Sequence, residues 1–233
     1  MAFHYSPKVV TNGLLMYLDA GNTKSYIGTG SNWINIKDSS SSAILMYTAS
    51  YSPPNSISFN GNYDVVNCGG SGVNGIYDLT ASLTLDVWVK PTTLRNNSFI
   101  ITKGWGDTFQ ILANSTKYEF DIYGPTVSVS HSVISTTTPV INKWYNIVGT
   151  FDGSNLKIYI NGTLENTSAY SGPIYSSPGF NLAVGNISHM ITSTTYPDKG
   201  FIGNISVAKV YNIAISSSDV LQNYNALKGR YGL

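Results

Sequence analysis

Charge is scarce in this chain. Only 11% of its 233 residues are Asp, Glu, Lys or Arg, well under the usual quarter of a soluble domain. Thirteen basic and twelve acidic side chains leave a net charge of +1. No basic cluster stands out, so the phosphate-neutralising surface that nucleic-acid binding requires is missing. Cys68 is the single cysteine, which excludes an intramolecular disulfide framework and reads as a small core hydrophobe. No apolar run approaches the roughly 18 residues of a membrane-spanning helix. Met1 to Lys8 lacks the basic segment, apolar run and cleavage site of a secretory leader, so the six Asn-x-Ser/Thr sequons at Asn96, Asn114, Asn161, Asn166, Asn186 and Asn204 are expected to be unmodified. His4, His131 and His189 have no spaced partners, and there is no Gly-x-Ser-x-Gly elbow and no zinc spacing. Cys68-Gly69-Gly70-Ser71-Gly72 lacks the following Lys-Ser/Thr and helix of a phosphate cradle and reads as a loop.

What fills the chain instead is Ser, Thr, Asn, 22 Gly and 17 Tyr beside a hydrophobic fraction of 42%. Such a surface makes neutral hydrogen bonds and stacking contacts. The apolar residues alternate in short runs broken by Gly, Asn, Pro and Ser, the pattern of a β-sandwich or barrel. Leu14, Met16 and Leu18 share one strand face; Ile57 and Phe59 lead into an Asn60-Gly61 turn. Leu83, Leu85, Val87 and Val89 line one side of another strand ended by Pro91, with Trp88 on the opposite side. From Trp144 to Leu164 two hairpins follow in series, turned at Asp152-Gly153 and Asn161-Gly162, dipeptides that supply positive φ. Further strands are predicted over Phe180–Val184 and Ile202–Tyr211. Helical spacing appears only at about 216–228, where Ser216 and Asp219 form a capping box, Val220, Tyr224 and Leu227 share a face, and Gly229 is the expected stop. No internal boundary or repeat divides the chain. The expectation is an arm over 1–12 and one all-β domain over 13–233, a two-sheet antiparallel jelly roll with a short C-terminal helix.

Five segments in series, Gly13–Asn22, Ser58–Val66, Trp88–Pro91, Trp144–Gly162 and Phe201–Ser206, resemble the laminin-G-like domains of the concanavalin A-like lectin and glucanase superfamily. Leu18-Asp19-Ala20-Gly21-Asn22 and the ending Leu221–Leu233 are most similar to versions found in structural proteins of tailed bacteriophages. The resemblance implies a two-sheet jelly roll serving adhesion, glycan recognition or decoration of a capsid or fibre. Two readings follow. One is a non-enzymatic virion protein in contact with other capsid or tail proteins, carried as a homo-oligomer or symmetric array. The other is a free-standing carbohydrate-binding adhesion module.

The same fold also hosts β-glucan hydrolases whose catalytic strand resembles Glu-x-Asp-x-x-Glu. Here Glu119-Phe120-Asp121 supplies the first two carboxylates on one strand face, but the third position is Gly124 and the only other glutamate is Glu165. A retaining mechanism needs two carboxyl groups about 5 Å apart, one of them to protonate the leaving oxygen, so glycosidase chemistry is not expected. For a sugar, the best candidate is Trp105 in Lys103-Gly104-Trp105-Gly106-Asp107, a loop aromatic with Asp107 beside it; Tyr123 is a second aromatic, from the strand that would line a cleft. Packing at one end of the sandwich is the other reading of Trp105, while Trp33, Trp88 and Trp144 are expected to pack against strands. The resemblance further implies a calcium ion near Asn62 and Asp64, with Asn204 nearby. Asn60 stands where family members carry an acid, which leaves a structural turn as the competing reading. No other cofactor is required.

Overall fold

The computed structural model describes residues 7–72, 75–104, 107–125 and 129–233. Among these residues sixteen strands follow one another: β1 (Leu14–Asp19), β2 (Asn32–Ile34), β3 (Ser42–Met46), β4 (Ser50–Ser52), β5 (Ser56–Asn60), β6 (Val65–Asn67), β7 (Leu83–Pro91), β8 (Ser98–Lys103), β9 (Phe109–Ala113), β10 (Tyr118–Tyr123), β11 (Ser130–Ile134), β12 (Tyr145–Phe151), β13 (Asn155–Ile160), β14 (Thr163–Ala169), β15 (Leu182–Val184) and β16 (Ile202–Tyr211). Helix α1 (Ser217–Leu227) comes after them. Every ladder is antiparallel. Sheet I has the order β14-β13-β12-β7-β16-β5-β4, and sheet II the order β11-β10-β9-β8-β15-β6-β3-β2. The long β16 serves two partners on one edge, pairing β5 along Ile202–Ile205 and β1 from Val207 onward, with a bulge at Ser206 between them.

Alternation decides which side chains enter the sandwich. Leu83, Leu85, Val87 and Val89 of β7, Ile147 and Phe151 of β12, and Leu156, Ile158 and Ile160 of β13 face Trp33, Val66, Phe109, Ile111, Phe120 and Ile122 of sheet II in one continuous core. Gly149 has a place in the middle of β12 because a Cβ there would lie 2.4 Å from the Phe120 ring; only a glycine lets the two sheets close over that ring. Asn161 and Gly162 both take left-handed φ, 52° and 80°, as a two-residue hairpin requires. Cys68 is buried in the core, and burial pushes its thiol up.

The outer face of sheet I is covered. Helix α1 and the segment over 7–12 lie across it. Trp88 is fully buried, with the Tyr231 ring stacked at 4.2 Å and the Tyr224 ring at 5.7 Å. Val148, Tyr159 and Tyr211 pack against Ile215 and Val220, and Val9 and Val10 complete the cover. Beneath it Lys209 Nζ meets Asp86 Oδ2 at 2.5 Å, both side chains fully buried, and Asp19 holds Arg230 at the rim.

Two expectations are corrected. The strand predicted from Phe180 begins at Leu182, because the Phe180 carbonyl accepts from the Lys103 ammonium and its N–H bonds to Ser177 O instead of to a neighbouring strand. The stop of the C-terminal helix is not Gly229, which lies within a 3-10 turn over Lys228–Tyr231; the left-handed residue is Gly232, at φ 73°. The extra turn carries Tyr231 onto Trp88. The capping box at Ser216 forms as expected, with Ser216 Oγ accepting from Asp219 N.

Replacing Trp88 by Ala removes the centre of this cover. Its unfolding free energy should fall by about 3–5 kcal/mol, measured as a lower urea midpoint. An unchanged midpoint would show that the helix holds without it.

Candidate functional site

The outer face of sheet II differs in being only partly covered. Residues 185–200, including a 3-10 turn over Ser188–Ile191, pack Ile187 and Met190 onto Val65 and Ala183, with Met46, Phe99, Ile191 and Tyr196 around them. The β8 to β11 side lies beyond this segment. Between the two is a cleft of about 200 Å³ lined by Phe99, Ile187, Tyr196 and Lys199. From Tyr196 in the cleft lining, ring contacts run to His189 and on to Phe180, with centroids 5.9 and 6.5 Å apart.

A bulge sets what faces outward. β8 contains one residue more than β9 between the Phe99–Leu112 and Ile101–Ile111 pairs, so both Ile100 and Ile101 turn into the core while Phe99 and Thr102 both point out. Register then assembles two adjacent rows across the face. One is Phe99, Leu112, Glu119 and Ile134; the other is Thr102, Gln110, Asp121 and Ser132.

The second row is polar and nearly closed to solvent. Asp121 is 5% exposed, and Gln110 Nε2 donates to its Oδ2 at 2.9 Å. Gln110 Oε1 and Thr108 Oγ1 are buried without hydrogen-bond partners. Burial, then the neighbouring Glu119 carboxylate, push the Asp121 carboxyl up to about 7, while hydrogen bonds with Gln110 and Ser132 oppose them and one with Glu119 adds to the rise. Glu119 Oε2 accepts from Asn114 Nδ2 at 2.7 Å. Two carboxylates therefore share the face, as their even spacing predicts. At the position of the absent third acid, a Cβ on Gly124 would lie 3.2 Å from the Tyr170 hydroxyl and 3.3 Å from His131 Nε2, so the site is walled there.

The predicted sugar-contacting residues divide as follows. Trp105 lies outside the described residues. Tyr123 is half-buried on the face of Glu119 and Asp121, and its hydroxyl is pushed up by burial and then by the charges of Asp121, Asp107 and Glu119, which puts Asp107 and Tyr123 in one electrostatic neighbourhood. Lys103, fully buried at the end of β8, donates to Ser177 O at 2.8 Å and to Phe180 O, tying the 177–180 turn to that strand. Burial lowers its pKa against the charges of Asp78 and Asp107. Trp33 and Trp88 are buried as expected, and Trp144 is half-buried beside Tyr231 and under Lys90. Phe99, Thr108, Gln110, His189 and Tyr196 were not singled out by sequence. Alternation alone marks Gln110 as outward, but only strand pairing puts it beside Asp121.

The implied calcium residues do not converge on an open set of oxygens. Asp64 Oδ1 accepts from Thr48 N and Thr48 Oγ1 at 2.9 and 2.7 Å, and its Oδ2 accepts from Asn60 N at 2.9 Å. The Asn62 carbonyl accepts from Asn186 Nδ2. Asn204 lies on β16 opposite Ser58 and Lys90, and among the described residues no hydrogen bond joins it to Asn62 or Asp64. No group of three or more His, Cys, Asp or Glu among the described residues is placed to hold a metal. The donor set fits a turn whose carboxylate is satisfied by hydrogen bonds.

The sequence model of the concanavalin A-like lectin/glucanases superfamily matches residues 60–221. The chain belongs to that superfamily, and its fold is lectin-like. No curated protein matches it in sequence. Among solved structures it is similar to Trypanosoma rangeli sialidase in complex with 2,3-difluorosialic acid, with a TM-score of 0.70 and 18% identity over 97% of this chain and 36% of that one. The chain thus spans about a third of the sialidase. It is similar to domain 4 of a GH43 extracellular arabinanase from Geobacillus stearothermophilus, solved with arabinotriose, with a TM-score of 0.66 and 14% identity over 91% of this chain and 98% of that one. The binding domain of Paraclostridial Mosquitocidal Protein 1 has a TM-score of 0.69 and 12% identity over 92% of this chain and 52% of that one. At such identities the fold alone is shared.

Replacing Asp64 by Ala removes three hydrogen bonds to a charged acceptor and should cost about 3 kcal/mol. Thermal melting should show the loss equally with and without millimolar calcium; a wild-type midpoint that calcium raises would point to a cation at the turn.

Proposed function

We propose that this chain is a carbohydrate-binding module whose ligand lies across the outer face of sheet II. The observation that carries the reading is the polar row of Gln110, Asp121 and Ser132, which register sets next to Phe99, a wall of the cleft that Tyr196 also lines; Gln110 Oε1 in that row, and Thr108 Oγ1, are buried without hydrogen-bond partners. Buried polar groups without partners are costly, and sugar hydroxyls are the donors that ionised carboxylates and amide carbonyls accept. The C–H faces of a sugar ring stack on aromatic side chains. A neutral saccharide suits a site where charges of both signs lie close, the carboxylates of Asp121, Glu119 and Asp107 with the buried Lys103 and with Lys199 in the cleft lining. The arabinanase domain solved with arabinotriose supports a saccharide ligand on this fold. The module is proposed to bind without hydrolysis, since the position of a second catalytic acid is Gly124.

The ionised form of Asp121 accepts and cannot donate. Lowering the pH through about 7 protonates it and removes acceptor capacity, so affinity for a neutral glycan should fall between pH 8 and pH 6. A glycan array followed by calorimetry tests this. Phe99→Ala and Asp121→Ala should each weaken the best hit by about tenfold or more, the scale of one charged hydrogen bond or stacking contact, and Asp121→Asn should flatten the pH dependence. A blank array, or binding that neither variant changes, would remove the proposal.

The setting is proposed to be the virion of a tailed bacteriophage, the module being presented in several copies by capsid or tail proteins. The resemblance of Leu18–Asn22 and of the ending to phage versions supports it. Cryo-electron microscopy of purified particles should find the jelly roll at symmetric positions; its absence from particles would favour the free-standing adhesion module.

A further inference from the structure

The buried cluster under α1 contains more chemistry than a structural ion pair needs. Asp86, Asn146, Lys209 and Asn223 are all fully buried. Asp86 touches each of the others: its Oδ2 meets Lys209 Nζ at 2.5 Å and accepts from Asn223 Nδ2 at 3.0 Å, and its Oδ1 accepts from Asn146 Nδ2 at 2.8 Å. Lys209 and Asn223 therefore share one carboxylate oxygen, with the amine and the carboxamide nitrogen no further apart than those two bonds laid end to end. Asn223 is further polarised, because Val10 N–H donates to its Oδ1 at 2.8 Å, and the Tyr211 hydroxyl accepts from its Nδ2 at 2.9 Å. Water, the usual competitor for an activated carbonyl, is excluded by the cover of α1 and the 7–12 segment.

We propose that Lys209 and Asn223 form an intramolecular isopeptide bond, with Asp86 as the catalytic acid and base. In the first step the proton between Lys209 and Asp86 moves onto the carboxylate, leaving a neutral amine as nucleophile and a carboxylic acid as proton donor. The Nζ lone pair attacks Asn223 Cγ. The carbonyl electrons move onto Oδ1, where the Val10 N–H stabilises the developing charge as an oxyanion-hole donor does. Asp86 gives its proton to Nδ2 and takes one from the attacking nitrogen. The carbonyl reforms, the Cγ–Nδ2 bond breaks and ammonia leaves, taking up the remaining proton as ammonium and returning Asp86 to its carboxylate form. Nothing is oxidised or reduced and no co-reactant enters. The side chains are held next to one another by the fold, which is what makes an otherwise slow amide exchange accessible.

Asn223 is the acceptor in preference to Asn146 on two grounds. Asn146 sits on the other carboxylate oxygen, and its own carbonyl oxygen is buried without a donor, so no group would hold charge developing there. Asp86 itself is a poorer target, since its conversion to an amide would need a second acid and none touches it.

The product would bond β16 covalently to α1, so that the helix could not peel from sheet I. Intact-mass spectrometry of the purified, natively folded full chain tests this directly. The expected mass is lighter than that of the sequence by one ammonia. Trypsin should then fail to cut after Lys209 and release residues 200–228 as a single peptide with the same deficit. A mass equal to that of the sequence overturns the proposal, as does a deficit in a chain that trypsin still cuts after Lys209, the signature of a succinimide elsewhere. In Asp86→Asn, which keeps the shape but not the proton exchange, the full mass and the cut after Lys209 should both return. If that variant does not fold, the wild-type peptide map alone decides the matter.

Discussion

The Asp86–Lys209 contact is the point on which the covered side of this molecule turns. Both residues come from the two central strands of sheet I, β7 and β16, at directly opposed positions. In a chain so poor in charge, a fully buried pair needs every remaining lone pair and proton answered. The answers come from far apart in sequence: Asn146 from β12, Asn223 from α1, and through Asn223 the backbone of Val10. An apolar patch would have held the helix at any rotation, whereas this network fixes one. The stack of Tyr224 and Tyr231 on Trp88 then follows from where the helix is held.

The two outer faces of the sandwich are thereby assigned different tasks. Sheet I is sealed by the chain itself. Sheet II keeps a row of polar groups under partial cover, where burial first and the neighbouring Glu119 second let Asp121 hold a proton to near neutrality. A fold whose two sheets share one core can carry this asymmetry because alternation isolates each outer face from the interior. What happens on the face of Gln110 and Asp121 is separated from α1 by two sheets and the full thickness of the core.

Much of the sandwich was legible because its rule is local. Period-two alternation in β7, β12 and β13, together with the Asp152-Gly153 and Asn161-Gly162 turns, places side chains in or out without reference to any other strand. The site was legible only where it lies on one strand. Glu119, Asp121 and Tyr123 share a face of β10 by spacing, and Gly124 visibly breaks the glucanase motif. Thr102, Gln110 and Ser132 join them only through pairing between strands, and Phe99 only through a bulge that no composition or periodicity announces. The extent of α1 was legible, but the 3-10 turn that follows it was not. Gly229 is a good local stop, but the Tyr231–Trp88 stack carries the turn past it.

The bulge in β8 also has a meaning for how such a surface could be gained or lost. Ile100 is a phase shifter. Phe99 and Thr102 are three residues apart, so plain alternation along this strand would put them on opposite faces; taking up Ile100 as an extra residue keeps both outward. The pairing irregularity thus holds an aromatic wall and a polar floor on one side of the sheet. The same residues paired in plain alternation, with no change in residue type, would have no cleft wall over the polar row.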